Sequence, residues 1–396
     1  MEERELTYDT VIAGCGVAGL FTALHLPKEQ KILMLSKEDL ESCNSMLAQG
    51  GICVLLNDQD YDEYFEDTMR AGHYENRKES VDIMLRSSRS VINQLIDYGV
   101  DFARKPDGSL AYTREGAHSH PRICFHEDTT GKEITTKLRQ AVEKLANVDM
   151  MEYTAMQDIL EQDGICVGVK AETGDGQKLL IHAHDVVMAT GGIGGKYEHS
   201  TNFRCQTGDA LDISRKHGVE LEHLDYVQIH PTVLYSEAPG RRFLISESCR
   251  GEGAVLLNGK GERFVNELLP RDVVTEAIHK EMEKEGSKYV WLSFAPIPEK
   301  EIRSHFPNIL ATCLEAGYDI TKEPIPVVPA QHYFMGGVHV DSDSMTTMKH
   351  LYAVGETSCN GVHGKNRLAS NSLLESMVFA ERAANHIVNV RKEENI

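Results

Sequence analysis

The sequence predicts an α/β fold in which a parallel-sheet, dinucleotide-binding domain is interrupted by an inserted α+β segment. Three observations predict it. A β-branched apolar run, Tyr8 to Ala13, leads into Gly14-Cys15-Gly16-Val17-Ala18-Gly19 and then into an apolar helix, Leu20 to Leu26, stopped by Pro27. Two more apolar runs, Lys31 to Leu35 and Asp185 to Ala189, lack the alternation of a half-solvated sheet, as strands covered on both faces should. From about Leu224 to Tyr333 the texture shifts toward Pro, Arg and Glu, and first-domain character returns at Leu351 to Val354 and in a helix from Ser372 to Val390. The expected parts are therefore 1–223 and 334–396, forming one domain, with 224–333 inserted between them.

The elements in between follow from local pattern. Gly51 to Val54 suits a short strand, and Tyr61 to Tyr98 carries apolar residues at three- and four-residue spacing, which predicts two helices parted near Gly72 and His73. Thr129 to Leu145 is helical in pattern. Ile159 to Lys170 and Lys178 to Ala183 predict a hairpin around the turn Thr173 to Gln177. Inside the insert, Leu257-Asn258-Gly259-Lys260-Gly261 predicts another hairpin and Asp272 to Glu285 a helix.

Composition narrows the function. With 396 residues, 41% hydrophobic and 26% charged, the chain can bury a sizeable core. A net charge of -20 without a long Lys/Arg run argues against nucleic acid or an anionic membrane as partner. No apolar run approaches bilayer length, the N-terminus lacks a signal-peptide pattern, and nine cysteines without a paired C-x-x-C framework suit free thiols. These features together predict a cytoplasmic protein. They also predict no metal site, since His118-Ser119-His120 and His182-Ala183-His184 lack spaced partners. Ser248-Cys249 has no nucleophile-elbow context, which counts against a hydrolase.

Gly14, Gly16 and Gly19 give G-x-G-x-x-G between strand and helix, where the backbone can approach a pyrophosphate and the helix N-terminus offers free N–H groups. Nicotinamide-type units place an acid after the second strand to hold a ribose; here Ser36-Lys37-Glu38 follows Leu35. Two later strand ends, Ala189-Thr190-Gly191-Gly192 and Leu351 to Glu356, complete a pattern suited to FAD, with Glu356 able to reach a ribityl hydroxyl. The run Asn366 to Ser372 opens an apolar helix whose N-terminal amides can stabilise negative charge on a reduced flavin.

In these and further stretches the chain resembles the fumarate reductase and succinate dehydrogenase flavoprotein superfamily over nearly its whole length, and is most similar to its aspartate-oxidising branch. The matching stretches are Ala48 to Gly51, Thr113 to Gly116 with His118 to His120, Gln228 to Pro231, Arg250 to Ala254, Pro270 to Asp272, Pro329 to Tyr333 with Gly336-Gly337, and Asn366 to Ser372. The resemblance implies a Rossmann-like FAD-binding domain with an inserted α+β capping domain, and relatives that continue into a C-terminal helical domain absent here. It implies cofactor contacts from Gly14, Gly16, Val17, Ala18 and Gly19, from Ser36 and Lys37, and from Asn44, Ser45, Ala48, Gln49, Gly50 and Gly51. Thr190, Gly191, Asp209, Glu356, Asn371, Ser372 and Leu373 complete that set. Many relatives attach the flavin through a histidine where this chain has Asn44, so the FAD is expected to be non-covalent.

The resemblance further implies substrate contacts from Gln228, His230, Ser246, His332 and Arg367, of which His230, His332 and Arg367 are expected to be cations that make a local positive pocket in an acidic protein, with Arg271 as the proton-handling residue and Glu252 and His230 as its partners. Arg367 can grip a carboxylate with two parallel hydrogen bonds. A carboxylate, Glu115, makes sense in such an anion-binding pocket if the substrate carries an ammonium, as L-aspartate does; this reading requires Glu115 to face the flavin rather than solvent. The implied reaction is hydride transfer from the aspartate Cα to the flavin, giving iminosuccinate, with reoxidation by O2 (yielding hydrogen peroxide) or by fumarate. That is the first step of NAD biosynthesis, with quinolinate synthase as a possible recipient. A soluble fumarate reductase is the alternative, and a flavin-binding protein without chemistry is disfavoured by the intact set of His230, Arg271, His332 and Arg367.

Overall fold

Strands that are apolar on both sides need cover on both faces, and the chain supplies it with helices on one and an antiparallel meander on the other. A computed structural model describes residues 3–394. Its central sheet is five parallel strands in the order Leu351–Ala353, Asp185–Met188, Thr10–Ala13, Ile32–Leu35, Val148–Met151. Ile12, Met34, Val187 and Tyr352 face the core shared with helices Val17–His25, Lys78–Asp97, Thr130–Val142 and Asn371–Glu394. Their neighbours Val11, Leu33, Val186 and Leu351 face the meander and helix Asp209–Lys216. The strand preceding the glycine motif begins at Thr10, not Tyr8. Asp9 breaks the run, its carboxylate accepting from the Lys31 N–H at 2.7 Å, and Arg4–Thr7 pairs with Lys178–His182 in the meander instead.

The meander corrects one expectation. Ile159 to Lys170 is not one strand but parts of two, Thr154–Gln162 and Ile165–Thr173, turning at Asp163 and Gly164, both with positive φ. Asp-Gly is the pair a tight hairpin turn favours, and the apolar residues on either side masked it. The turn at 173–177 is present and joins the second of these strands to Lys178–His182.

Within the segment 224–333 a four-stranded antiparallel sheet runs in the order Val227–Leu234, Ile325–Phe334, Val290–Ser293, Val255–Leu257. It encloses its own core with helices Arg271–Glu285, Glu299–His305 and Pro307–Glu315. The hairpin expected at 257–261 forms as a short one: Asn258 Oδ1 accepts from Lys260 N and Glu262 N at 3.0 Å each, and Leu257 bridges Arg263 antiparallel, while Val255–Leu257 takes its longer pairing from Val290–Ser293. Pro231 cannot donate to the ladder, and the register slips between His230 and Val233. Asp128, on the other side of the seam, accepts from the N–H groups of Asn308 and Ile309 at the start of helix Pro307–Glu315. No described helix is long and apolar enough to cross a membrane.

Candidate active site

One cleft runs from the glycine motif to Arg271 and Arg367. At the dinucleotide end the backbone comes closest where side chains are missing. Gly14 has φ +123°, and a Cβ there would lie 2.0 Å from the Ala189 carbonyl oxygen; a Cβ on Gly19 would lie 2.0 Å from the Gly14 carbonyl oxygen. Gly16 caps helix Val17–His25, and Ser45 Oγ accepts from Val17 N at 3.1 Å. The next first-turn amides, of Ala18 and Gly19, have no intrahelical acceptor. Gly19 does not line the cleft and acts by letting helix meet strand.

The other expected cofactor residues divide in the same way. Ser36, Asn44, Ala48 to Gly51, Thr190, Gly191, Glu356, Ser372 and Leu373 line the cleft. Lys37 and Asp209 line it too but pair with each other at 2.8 Å. Asn371 does not line it: the residue is buried and accepts from Tyr64 Oη at 2.7 Å, so it anchors the helix start. Asn44 accepts from Phe203 N and leaves Nδ2 unpartnered; Gln49 Oε1 and Gln206 Oε1 are buried and unpartnered as well. Orphaned polar atoms on the wall of a cleft are what a polar cofactor satisfies, so the residues present fit FAD. Gln206 went unnoticed in the sequence because nothing local marks it. Burial pushes Glu356 up to about 7, although its Oε1 accepts from Phe334 N.

At the far end of the cleft, side chains rather than backbone define the space. Glu115 is only 3% exposed. Its Oε1 accepts from Ser248 Oγ at 3.0 Å and its Oε2 from Ser370 Oγ, and Gly50 gives it room, since a Cβ there would meet Glu115 Oε1 at 2.3 Å. Burial raises the Glu115 pKa and repulsion from Glu247 raises it further. Arg271 opens helix Arg271–Glu285; its Nε donates to Glu247 Oε2 at 2.5 Å and its NH1 to Gln228 Oε1 at 2.9 Å. For Glu247, burial works to raise the pKa, and the attraction of Arg271 and Arg250 outweighs it, so the group stays ionised.

Three expectations are corrected here. The acid on Arg271 is Glu247, not Glu252, which instead accepts from Thr113 Oγ1 at 2.8 Å and faces His305. Gln228 does not line the cleft: its Nε2 donates to Asn366 Oδ1 and the Arg367 carbonyl, so it holds the two arginine segments together. His230 and His332 are not cations. Burial lowers both pKa values well below 6.5, and Arg271 lowers them further, so the positive charge belongs to the arginines. His230 Nδ1 lies 3.1 Å from both the N–H and the carbonyl oxygen of Thr232, and its Nε2 is buried without a partner. His332, 5.1 Å from it centroid to centroid, meets Thr201 Oγ1 through Nδ1 at 2.7 Å. Arg367 lies over the Tyr333 ring at 4.4 Å, and burial beside Arg271 lowers its pKa to about 10. Ser246 lines the cleft and accepts from Ser248 N.

A glycine-built dinucleotide groove ending in two arginines, two neutral histidines and two buried carboxylates, Glu247 paired with Arg271 and Glu115 held by serines, defines an oxidoreductase class: a redox cofactor facing a small acidic substrate. Comparison with known proteins agrees. The family profile described as "FAD binding domain" matches residues 9–373. The L-aspartate oxidase of Clostridium perfringens is 49% identical over 377 residues, 95% of this chain and 85% of that protein. That of Clostridium acetobutylicum is 49% identical over 380 residues, 96% and 87% of the two chains. A solved E. coli quinol fumarate reductase superposes with a TM-score of 0.91 at 32% identity, over 98% of this chain and 70% of that one. The chain belongs to the L-aspartate oxidase family of FAD-binding proteins.

Proposed function

We propose that this protein oxidises L-aspartate to iminosuccinate with non-covalently bound FAD. The observation that carries the reading is Glu115, a buried carboxylate at the end of a cleft whose other charged groups include Arg271 and Arg367. Burying an unpaired acid is costly, and a substrate ammonium repays that cost in the loaded site. Arg367 grips one substrate carboxylate, and the unpartnered Nε2 of His230 with Ser246 faces the other. The 224–333 segment acts as a cap over the site, and its opening and closing governs access of water.

When bound, FAD supplies the two-electron acceptor for the Cα hydrogen. Holding the substrate at both carboxylates fixes that hydrogen in one direction. Glu115, with its raised pKa, receives the proton that the amine sheds as its bond to Cα gains double-bond character. Arg271, held by Glu247 and Gln228, stabilises charge at the carbon end and in the reverse sense, with fumarate, delivers a proton there. Asn44 cannot form the covalent link of a histidine, so acid-precipitated protein should be colourless and its supernatant yellow. The nine cysteines are free thiols, which suits a reducing, cytoplasmic setting.

The test is peroxide release with L-aspartate in FAD-loaded protein, joined to anaerobic bleaching of the flavin by L-aspartate and by succinate. Bleaching by L-aspartate is expected. A response to succinate alone would overturn the amine-selective role of Glu115 and return the protein to fumarate reduction.

A further inference from the structure

Behind the site lies a buried polar cluster to which the reaction assigns nothing. Arg122 is fully buried; its NH1 donates to Asp67 and its NH2 to Asp60, each at 2.7 Å. Asp67 also accepts from Ser119 N at 2.7 Å, which pins the segment following Glu115. Arg122 NH1 stands 3.3 Å from His118 Nδ1. A guanidinium only donates, so Nδ1 is the acceptor and the ring hydrogen sits on Nε2, 3.0 Å from the Ala369 carbonyl oxygen. Ala369 immediately precedes Ser370, the residue that donates to Glu115, and lies two positions beyond Arg367.

The backbone at both ends of this bond is held in an unfavourable form. Ser370 has φ +61° and Ala117, next to His118, has φ +64°. Non-glycine residues in the left-handed region cost roughly 1–3 kcal/mol each and persist where the surroundings hold them. The His118 bond fixes the peptide that leads into Ser370, and Cys53 N holds the next one by donating to the Ser370 carbonyl at 3.1 Å. Loss of the bond lets the 369–370 peptide relax, which moves the Ser370 hydroxyl off Glu115.

We propose that His118 is a positioning residue for substrate selectivity: by donating to the Ala369 carbonyl it sets the distance between the ammonium acceptor Glu115 and the carboxylate clamp Arg367. This inference rests on the proposed aspartate oxidation. It concerns only substrates that use both ends of that distance, so an amino-dicarboxylate depends on it and an unaminated one does not.

The test compares His118→Leu and His118→Gln with wild type, all loaded with FAD, in L-aspartate oxidation, in fumarate reduction by a reduced dye, and in succinate binding read from the flavin absorbance. His118→Leu removes the donor; His118→Gln places an amide N–H near the Nε2 position. Expected is a loss on the order of 10²-fold in kcat/KM for L-aspartate in the leucine variant. Fumarate reduction and succinate affinity should stay within about threefold, and the glutamine variant should recover most of the loss. Equal losses with both substrates, or no loss with either, would overturn the inference. If His118→Leu does not fold, His118→Asn, too short to reach Ala369, makes the same comparison. Wild-type protein that reduces fumarate but ignores L-aspartate would reject the functional reading itself.

Discussion

The two ends of the cleft are built by different means. The dinucleotide end is backbone: Gly14, Gly16 and Gly19 within one turn, with Thr190 and Gly191 and then Glu356 at two neighbouring strand ends. The substrate end is side chains from segments far apart in the chain, Glu115, His230, Ser246, Arg271, His332 and Arg367, fixed to one another by hydrogen bonds such as those of Gln228 and Ser248. Backbone sites tolerate changes in their surroundings but not a Cβ in the wrong place. Side-chain sites depend instead on the partners behind the contact residues that hold each of them in place.

Substitutions at the two ends should therefore fail differently. The largest effect is expected from Gly14→Ala, whose methyl would sit 2.0 Å from the Ala189 carbonyl at φ +123°. It should cost roughly 3 kcal/mol or more and yield protein without flavin, seen as loss of the visible absorbance and a lower Tm. Arg271→Leu should leave FAD bound yet lower kcat about 10²- to 10⁴-fold; near-normal turnover would remove Arg271 from the chemistry. Glu115→Gln should cost up to about 10²-fold in kcat/KM for L-aspartate, the worth of a charge-assisted hydrogen bond, while fumarate reduction stays near wild type. Its pH dependence has a definite sign. Burial raises the Glu115 pKa, so kcat/KM for L-aspartate should fall as pH drops through that raised value, and the fall should vanish in the glutamine variant. The smallest effect, about tenfold or less in KM, is expected for Ser248→Ala, which removes one neutral donor from Glu115.

The same contrast decides what could be seen in the sequence. The glycine motif, the flanking strands and the helix after Asn371 follow from local pattern and appear where that pattern puts them, while Gly19 and Asn371 turn out to support the groove rather than line it. At the substrate end residue types were legible but their partners were not. Glu247, Ser248 and Ser370 became meaningful only when folding brought them to Arg271 and Glu115. The charge state of His230 and His332 was misjudged for the same reason. It depends on burial and on two arginines that are remote in sequence. One available sign was missed: Glu247 stands three residues before Arg250, a spacing that sets acid and cation side by side on a helical turn.

The uncharged state of His230 and His332 has a consequence for loading. A doubly negative guest arriving beside them meets uncharged donors, and its countercharge comes from Arg271 and Arg367. Acidification leaves those arginines charged while it neutralises Glu115 and weakens the hold on an amine. If Glu115 holds the amine as proposed, a preference for aspartate over fumarate should be sharpest in alkaline medium and blur as the medium turns acid.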